Sequence, residues 1–284
     1  MTITLRNLHP TFGAEVQGAP AGLQCDEATF RAIEDAWYAK SILLFRNLVM
    51  TPEQHVAFSR KLGPLHYMTP AHYCLPGMPE VFVISNAEDG GGKQLGMRRV
   101  GLGWHTDGED KAVPNAGSFL YARTVPAEGG DTMWSDMYTA WATLPAAVKA
   151  KLAGRCARFS RIALHQTHYP GEPPLTEEQK RARPDVWHPV ARKHPRSGRT
   201  ALYIGRWAVD IEGLPEAEGK ELVAFLQQWA EKPEFIYRHR WQAGDAILWD
   251  NRCTLHCATG YDESKYVRMM HRTTLEGEAP LMAA

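Results

Sequence analysis

From residue 79 onward the chain is cut into short runs with strand character, each closed by glycine, proline, asparagine or aspartate. The runs are "PEVFVISN", "AGSFLYARTVP", "GGDTMWSD", "HPVARKHPRSGRTALYIG", "FIYRHRWQAGDAILWDN" and "YVRMMHRTTLEG". Runs of roughly four to eight residues with period-two or wholly apolar character read as strands, and the turn residues between them fix where each must stop. Ser197-Gly198 reads as the tip of a hairpin. So many short strands with few helices predict a sandwich or jelly roll, mainly β with covering helices.

The helices are legible at the front and in two insertions. "DEATFRAIEDAWYAKS" places Phe30, Ile33 and Trp37 on one helical face. "TPEQHVAFSRKLGP" carries Thr51 as N-cap, Pro52 at the first helical position and Gln54 closing a capping box, and Gly63-Pro64 ends it. Between them "SILLFRN" reads as a fully buried strand. "MYTAWATLPAAVKAKLAG" and "EAEGKELVAFLQQWAEKP" are predicted helices, the second with Leu222, Phe225, Leu226 and Trp229 on one face. No linker or repeat divides residues 1–284, so one domain is expected. Residues 86–103 and 167–187, rich in Gly, Pro and charge, are long enough to be lid loops.

Charge narrows the class of function. Lys+Arg and Asp+Glu both number 32, without the basic excess of nucleic-acid or membrane-surface proteins. No apolar run is long enough to span a membrane, and "MTITLRNLHPTFGAEVQG" lacks the basic-then-apolar order of a leader. Five scattered cysteines without CxxC fit reduced thiols, so a cytoplasmic protein is expected.

Chemistry concentrates in two stretches. "GWHTDGED" sets His105 and Asp107 two apart, and on a strand both would project to one side. An imidazole and a carboxylate need a third ligand, for which His256 in "WDNRCTLHCATG" is the candidate. Two histidines and a carboxylate on one face suit ferrous iron with open coordination positions. A polar surface turn is the competing reading of the first stretch, and a soft-metal site made by Cys253 and Cys257 around His256 competes with the second. Arg268 and Arg272 share a strand face with residue 270; they read either as a solvated face or as a pair converging on carboxylates. "GGDTMW" is not a phosphate loop, since no lysine follows in frame.

"WHTDGED", "VPAEGGDTMWSDM", "YRHRWQAGDAILWDNRCTLH" and "VRMMHRTTLEG", with "SILLFRNLVMTPEQHVAFSRKLGPLH", together resemble the taurine/2,4-dichlorophenoxyacetate dioxygenase family, from about residue 4 to 278. The resemblance implies a double-stranded β-helix, the cupin-like jelly roll. It implies a dioxygenase that uses Fe(II), 2-oxoglutarate and O2, hydroxylates a small anionic substrate and releases succinate and CO2. His105, Asp107 and His256 match the iron ligands. Thr132 matches a threonine whose hydroxyl helps hold 2-oxoglutarate, and Arg268 the arginine that pairs with its distal carboxylate. Arg272 matches the arginine shared by the cosubstrate's other end and the substrate anion, and Trp249 a tryptophan close to the metal.

The pocket motif departs from the sulfonate-cleaving pattern: "LHYMTPAHYCLPG" offers His66, Tyr67, His72 and Tyr73 out of that register. "YRHRWQAGDAILWDNRCTLH" resembles the aryloxyalkanoate-cleaving branch more closely, which implies a carboxylate substrate with an apolar body, cleaved after hydroxylation, with His66, Tyr73 and His168 as candidate substrate contacts. A sulfonate or sulfate-ester substrate is the alternative, and a non-catalytic anion-binding jelly roll a reading of another class. His165, Tyr169 and Trp207 are candidate pocket walls, and His271 should face away from the site. A homodimer or homotetramer is what the family resemblance implies.

Overall fold

The structure is a computed structural model that describes residues 2–67, 70–98 and 100–283. An eight-stranded sheet forms the frame. Its strands lie in the order Thr4–Asn7, Ala14–Gln17, Ile42–Phe45, Ala246–Asp250, Gly117–Thr124, Met269–Leu275, Met78–Ser85 and Cys74–Leu75. All neighbours are antiparallel except Ala14–Gln17 beside Ile42–Phe45. Three-stranded sheets complete the fold, and the one that matters for the site runs Ile236–His239, Thr132–Asp136, Thr254–Ala258. Strands far apart in sequence thus stand side by side, which is the winding of a jelly roll.

The apolar run "ILLF" shows why the frame holds. Successive strand side chains point to opposite faces. Leu43 and Phe45 pack with Phe30, Ile33, Trp37, Val56 and Phe58 of the covering helices Glu27–Lys40 and Pro52–Leu62. Ile42 and Leu44 point the other way, into the space between the sheets, with Trp134, Trp249 and Met270. All four strand residues are buried because both faces are covered. The predicted capping box is present: the Thr51 hydroxyl accepts from Gln54 N, and the Gln54 side chain accepts from Thr51 N.

Three expectations need correction. The helix expected over 137–154 is two, Met137–Thr143 and Ala146–Leu152, because Pro145 forces Leu144 into an extended conformation (ψ 137°). The helix Glu216–Ala230 buries Gly219, Val223, Leu226 and Ala230, while Phe225 is exposed. Gly219 sets that face: a Cβ there would stand 3.1 Å from Ile211 N, so the helix lies close on the strand Ala208–Ile211 and the bulkier residues flank the contact. Residues 167–187 are not an irregular loop throughout. They contain the helix Glu177–Ala182 with its own Thr176/Gln179 capping box, and they follow the helix Arg161–His168.

The described residues 86–98 and 100–103 belong to a strap that leaves the strand Met78–Ser85 and returns alongside it. Glu88 bridges Gln94, and Met97 bridges Ile84. Farther on, Ala258 N donates to Gly101 O at 2.8 Å. No helix among the described residues is long and apolar enough to cross a membrane.

Candidate active site

His105 and His256 meet because they are cross-strand partners. Each backbone N–H donates to the other's carbonyl, at 3.1 and 2.8 Å, and the rings lie 4.2 Å apart. Directly paired residues on neighbouring strands project their side chains to the same face. Asp107 arrives by another route than the one expected. The chain turns after His105, and Gly108 (φ 76°) leaves no room for a side chain: a Cβ would lie 2.5 Å from Asn115 Oδ1. The convergence of His105 and Asp107 is therefore made by a turn and not by strand alternation. Asn251 pins that turn, its carbonyl accepting from the Thr106 hydroxyl at 2.7 Å and its Oδ1 from Asp107 N at 3.4 Å. Ser118 Oγ donates to Asp107 Oδ2 at 2.7 Å, and Arg272 Nη1 to Oδ1 at 3.0 Å.

The ligand atoms of His105, Asp107 and His256 lie within 4.8 Å of one another. His105 Nδ1 faces Gly103 O at 2.8 Å. A carbonyl can only accept, so Nδ1 carries the proton and Nε2 presents its lone pair. Burial, opposed by the neighbouring Asp107, lowers His105, and burial together with His105 takes His256 well below the usual imidazole range. Burial alone would raise the Asp107 carboxyl, but Arg272, His256 and His105 hold it well below the usual carboxylate range. Two neutral imidazoles and a carboxylate anion are the donor set a divalent iron takes.

A second cluster, His194, Asp250 and Cys253, has similar spacing but is closed to a metal. His194 Nδ1 accepts from the backbone of Arg196 and Ser197, so Nε2 is the protonated nitrogen and donates to Asp250 Oδ2 at 3.0 Å. Arg252 occupies both Asp250 oxygens, at 2.8 and 2.7 Å. Those lone pairs and protons are already committed. The Cys253 thiol turns to Ser41 and the Cys257 thiol to its neighbour's carbonyl, so neither joins His256 and the soft-metal reading falls.

The His105/His256 cluster opens onto a narrow cavity walled by Ile84, Val100, Leu120 and Trp249. Thr132, Arg268 and Arg272 line the same space. Thr132 Oγ1 accepts from the Trp241 indole at 2.9 Å, leaving its own O–H free to donate. Trp249 lies 4.9 Å, ring to ring, from His256. Arg268 is 8% exposed, its Nε is buried without a partner, and burial pulls it down to about 10. Among the described residues no carboxylate pairs with it. Its stem runs over Gly130, where a Cβ would stand 3.3 Å from Arg268 Cδ, which accounts for one glycine of "GGDT". Asp131 acts on it only from a distance and is itself paired with Arg238, so this buried guanidinium is poised for an anion from outside the chain. The residues lining the cavity therefore fit both iron and a carboxylate-bearing cosubstrate.

The expected substrate contacts are spread more widely. His66 lies beyond Arg272 on the same strand edge: its N–H bonds Thr274 O and its Nε2 stands 3.1 Å from Lys111 Nζ. Tyr73 packs edge-on against Phe82, whose ring lies under the Arg272 guanidinium, so one aromatic ring separates it from that arginine. His168 is committed elsewhere. Its Nε2 bonds Arg206 O at 2.8 Å, and it lines a separate cleft with Trp104 and Leu164. His165 is a buried helix residue bonded to Pro173 O, and Trp207 belongs to the core. His271 faces away as expected, since its neighbour of like parity, Thr273, bonds Ser59 and His55 of the covering helix.

Ser118, Asn251 and Glu109 were not singled out from the sequence. Glu109 is fully buried and accepts from Thr106 N and Trp207 N at 3.0 and 2.9 Å, which ties the metal turn to the 205–207 loop; burial pushes it up to about 8. A carboxylate two residues past a ligand carries no signal of its own, since its partners are backbone groups.

Residues 4–274 match the family model described as taurine catabolism dioxygenase TauD, TfdA family. The chain is 35% identical over 288 residues to an α-ketoglutarate-dependent 2,4-dichlorophenoxyacetate dioxygenase of Cupriavidus pinatubonensis, covering 97% of this chain and 99% of that one. It is 31% identical over 292 residues to an α-ketoglutarate-dependent sulfate ester dioxygenase of Pseudomonas putida, covering 97% and 91%. A crystal structure of a taurine dioxygenase from Burkholderia xenovorans superposes with a TM-score of 0.81 at 30% identity, over 99% of this chain and 93% of that one. With the match running through the eight-stranded frame and the three-stranded sheet that carries His256, this chain belongs to the TauD, TfdA family and is an Fe(II)- and 2-oxoglutarate-dependent dioxygenase.

Proposed function

We propose that the chain hydroxylates a small carboxylate with an apolar body, of the aryloxyalkanoate type, at the carbon next to the ether oxygen. The observation that carries this reading is Arg268: a buried, unpaired guanidinium in one cavity with a His/Asp/His cluster. In it His105, Asp107 and His256 hold the iron. Iron with 2-oxoglutarate and O2 supplies the oxidation: one oxygen atom enters the substrate C–H bond, the other enters succinate, and CO2 leaves. Arg268 and the free O–H of Thr132 hold the distal carboxylate of 2-oxoglutarate. Arg272, braced by Asp107, meets the anionic end of the substrate. Ile84, Val100 and Leu120 exclude water and give the apolar body its wall. Hydroxylation beside an ether oxygen leaves a hemiacetal, which separates into a phenol and an aldehyde acid without further help.

The 2,4-dichlorophenoxyacetate relative supports the carboxylate, and the sulfate-ester relative keeps that second anion in view. The test is iron-dependent succinate release from 2-oxoglutarate with 2,4-dichlorophenoxyacetate, the two phenoxypropionate enantiomers, taurine and medium-chain alkyl sulfates. Phenol release with the aryloxy acids supports the reading. Succinate coupled only to sulfate or sulfite release moves the substrate to the other class. Succinate from none of them overturns the substrate assignment. A cytoplasmic homodimer or homotetramer belongs to the same reading; the five free cysteines support the reducing compartment, and light scattering tests the assembly.

A further inference from the structure

The strand Met78–Ser85 pairs with Met269–Leu275 up to Met269 opposite Ser85. One position farther the strap departs, so the ladder has no backbone acceptor left for Arg268. Asn86 takes that place with its side chain. Its Oδ1 accepts from Arg268 N at 2.8 Å, and its Nδ2 donates to Tyr266 O at 2.9 Å and Glu263 O at 3.3 Å. Its own carbonyl accepts from Arg98 of the strap at 3.2 Å, and Arg98 also pairs with Glu88. The returning limb of the strap is fastened to the same strand, Met97 N to Val83 O and Ser85 N to Met97 O, at 2.9 and 3.1 Å. One amide thus fixes the backbone of Arg268, the segment that leads into it, and the root of the strap over the cavity mouth.

We infer that Asn86 is the positioning residue for Arg268: it sets the direction from which the guanidinium enters the cavity and couples the strap to binding of the cosubstrate's carboxylate. The inference rests on the reading of Arg268 as the 2-oxoglutarate arginine. The bonds Asn86 makes run to Arg268 N, Tyr266 O, Glu263 O and Arg98, and not to His105, Asp107 or His256, so its loss is expected to act on the cosubstrate before the metal. Losing a backbone hydrogen bond that orients a charged group weakens the ligand by about tenfold.

The experiment uses the full chain loaded with redox-silent Mn(II) and measures 2-oxoglutarate affinity by calorimetry for wild type, Asn86→Ala, Asn86→Asp and Arg268→Met. Mn(II) affinity is measured separately, and hydrogen exchange of residues 86–98 is followed with and without 2-oxoglutarate. Asn86→Ala is expected to weaken 2-oxoglutarate about tenfold, leave Mn(II) affinity unchanged, and abolish the protection of the strap that 2-oxoglutarate confers on wild type. Asn86→Asp keeps the acceptor for Arg268 N and loses both donors, so it falls between; should the alanine variant not fold, the aspartate variant decides. In turnover the loss appears in KM for 2-oxoglutarate and not in kcat. Weakening by Arg268→Met with none by either Asn86 variant overturns the inference and leaves the reading of Arg268 standing. Equal losses of 2-oxoglutarate and Mn(II) affinity reduce Asn86 to a general structural role and also overturn it. Unchanged affinity in Arg268→Met refutes the reading of Arg268 itself.

Discussion

Replacing Arg268 with methionine should move stability and function in opposite directions. The folded protein holds this guanidinium at 8% exposure without a carboxylate partner among the described residues, and burial lowers it from 12.5 to about 10. At about 1.4 kcal/mol per pH unit, that difference corresponds to about 3 kcal/mol by which the fold disfavours the charge. Methionine keeps much of the apolar stem and removes the charge, so the protein without 2-oxoglutarate should gain about 1–3 kcal/mol in urea denaturation, less whatever packing is lost. A buried bidentate pair with a carboxylate contributes about 2–5 kcal/mol when one partner is truncated. The KM for 2-oxoglutarate should therefore rise at least about 30-fold. At a fixed 2-oxoglutarate concentration well above both dissociation constants, the stabilisation it confers should fall by about 2 kcal/mol, the roughly 30-fold loss of affinity written as a free energy. Arg268→Lys restores the charge without the planar fork and should recover only part of the affinity. Denaturation midpoints with and without 2-oxoglutarate, set beside KM from succinate release, measure both sides. A variant that is less stable than wild type and binds 2-oxoglutarate as well would refute the argument, because it would mean that the guanidinium is already satisfied within the chain.

His105→Ala should abolish iron-dependent turnover while leaving the circular dichroism and denaturation midpoint close to wild type, since its backbone pairing to His256 survives; retained activity would remove it from the metal site. Thr132→Val strands the Trp241 indole N–H and should cost about 1–2 kcal/mol together with weaker 2-oxoglutarate binding, whereas Thr132→Ser keeps both; equal behaviour of the two would deny the hydroxyl its role. His55 is fully buried, with Nε2 bonded to Phe119 O and burial holding it at about 3. Its unfolded-state value is near 6.5, so between about pH 6.5 and 3 the unfolded chain takes up the proton and stability falls with falling pH, by at most about 1.4 kcal/mol per unit for this residue. Urea midpoints at pH 7.5, 6 and 5 for wild type and His55→Gln should show a shallower decline in the variant, and parallel lines would exclude the histidine.

Much of this was readable from the chain because local rules act where the sequence states them. Thr51, Pro52 and Gln54 specify a helix start by groups within one turn of each other, and the structure makes both capping bonds. Trp37 and Ile33 fall on a buried face because the apolar spacing allows only one. Where the competing term is a distant contact, the reading slipped. The face of Glu216–Ala230 is chosen by close approach of Gly219 to Ile211, which no periodicity within the helix contains. The loop-like composition around His168 predicts a contact in the substrate pocket, yet a helix ending at that position turns it to the Arg206 carbonyl, in a cleft apart from the metal cluster.

Sequence alone determined which side chains can do the chemistry: two imidazoles, a carboxylate and two guanidiniums in motifs shared with one oxygenase family, on a chain with strand punctuation suited to a jelly roll. Tertiary structure decided how they meet. His105 faces His256 through a backbone bridge across 151 positions, Asp107 is swung in by a glycine turn pinned on Asn251, and Arg268 is led into the cavity by the amide of Asn86. The physical reason is that metal-ligand and ion-pair geometry is set to within an ångström or so by hydrogen bonds between segments remote in the chain. A linear order of residues states the groups available for such bonds, and only the packed sheets choose among them.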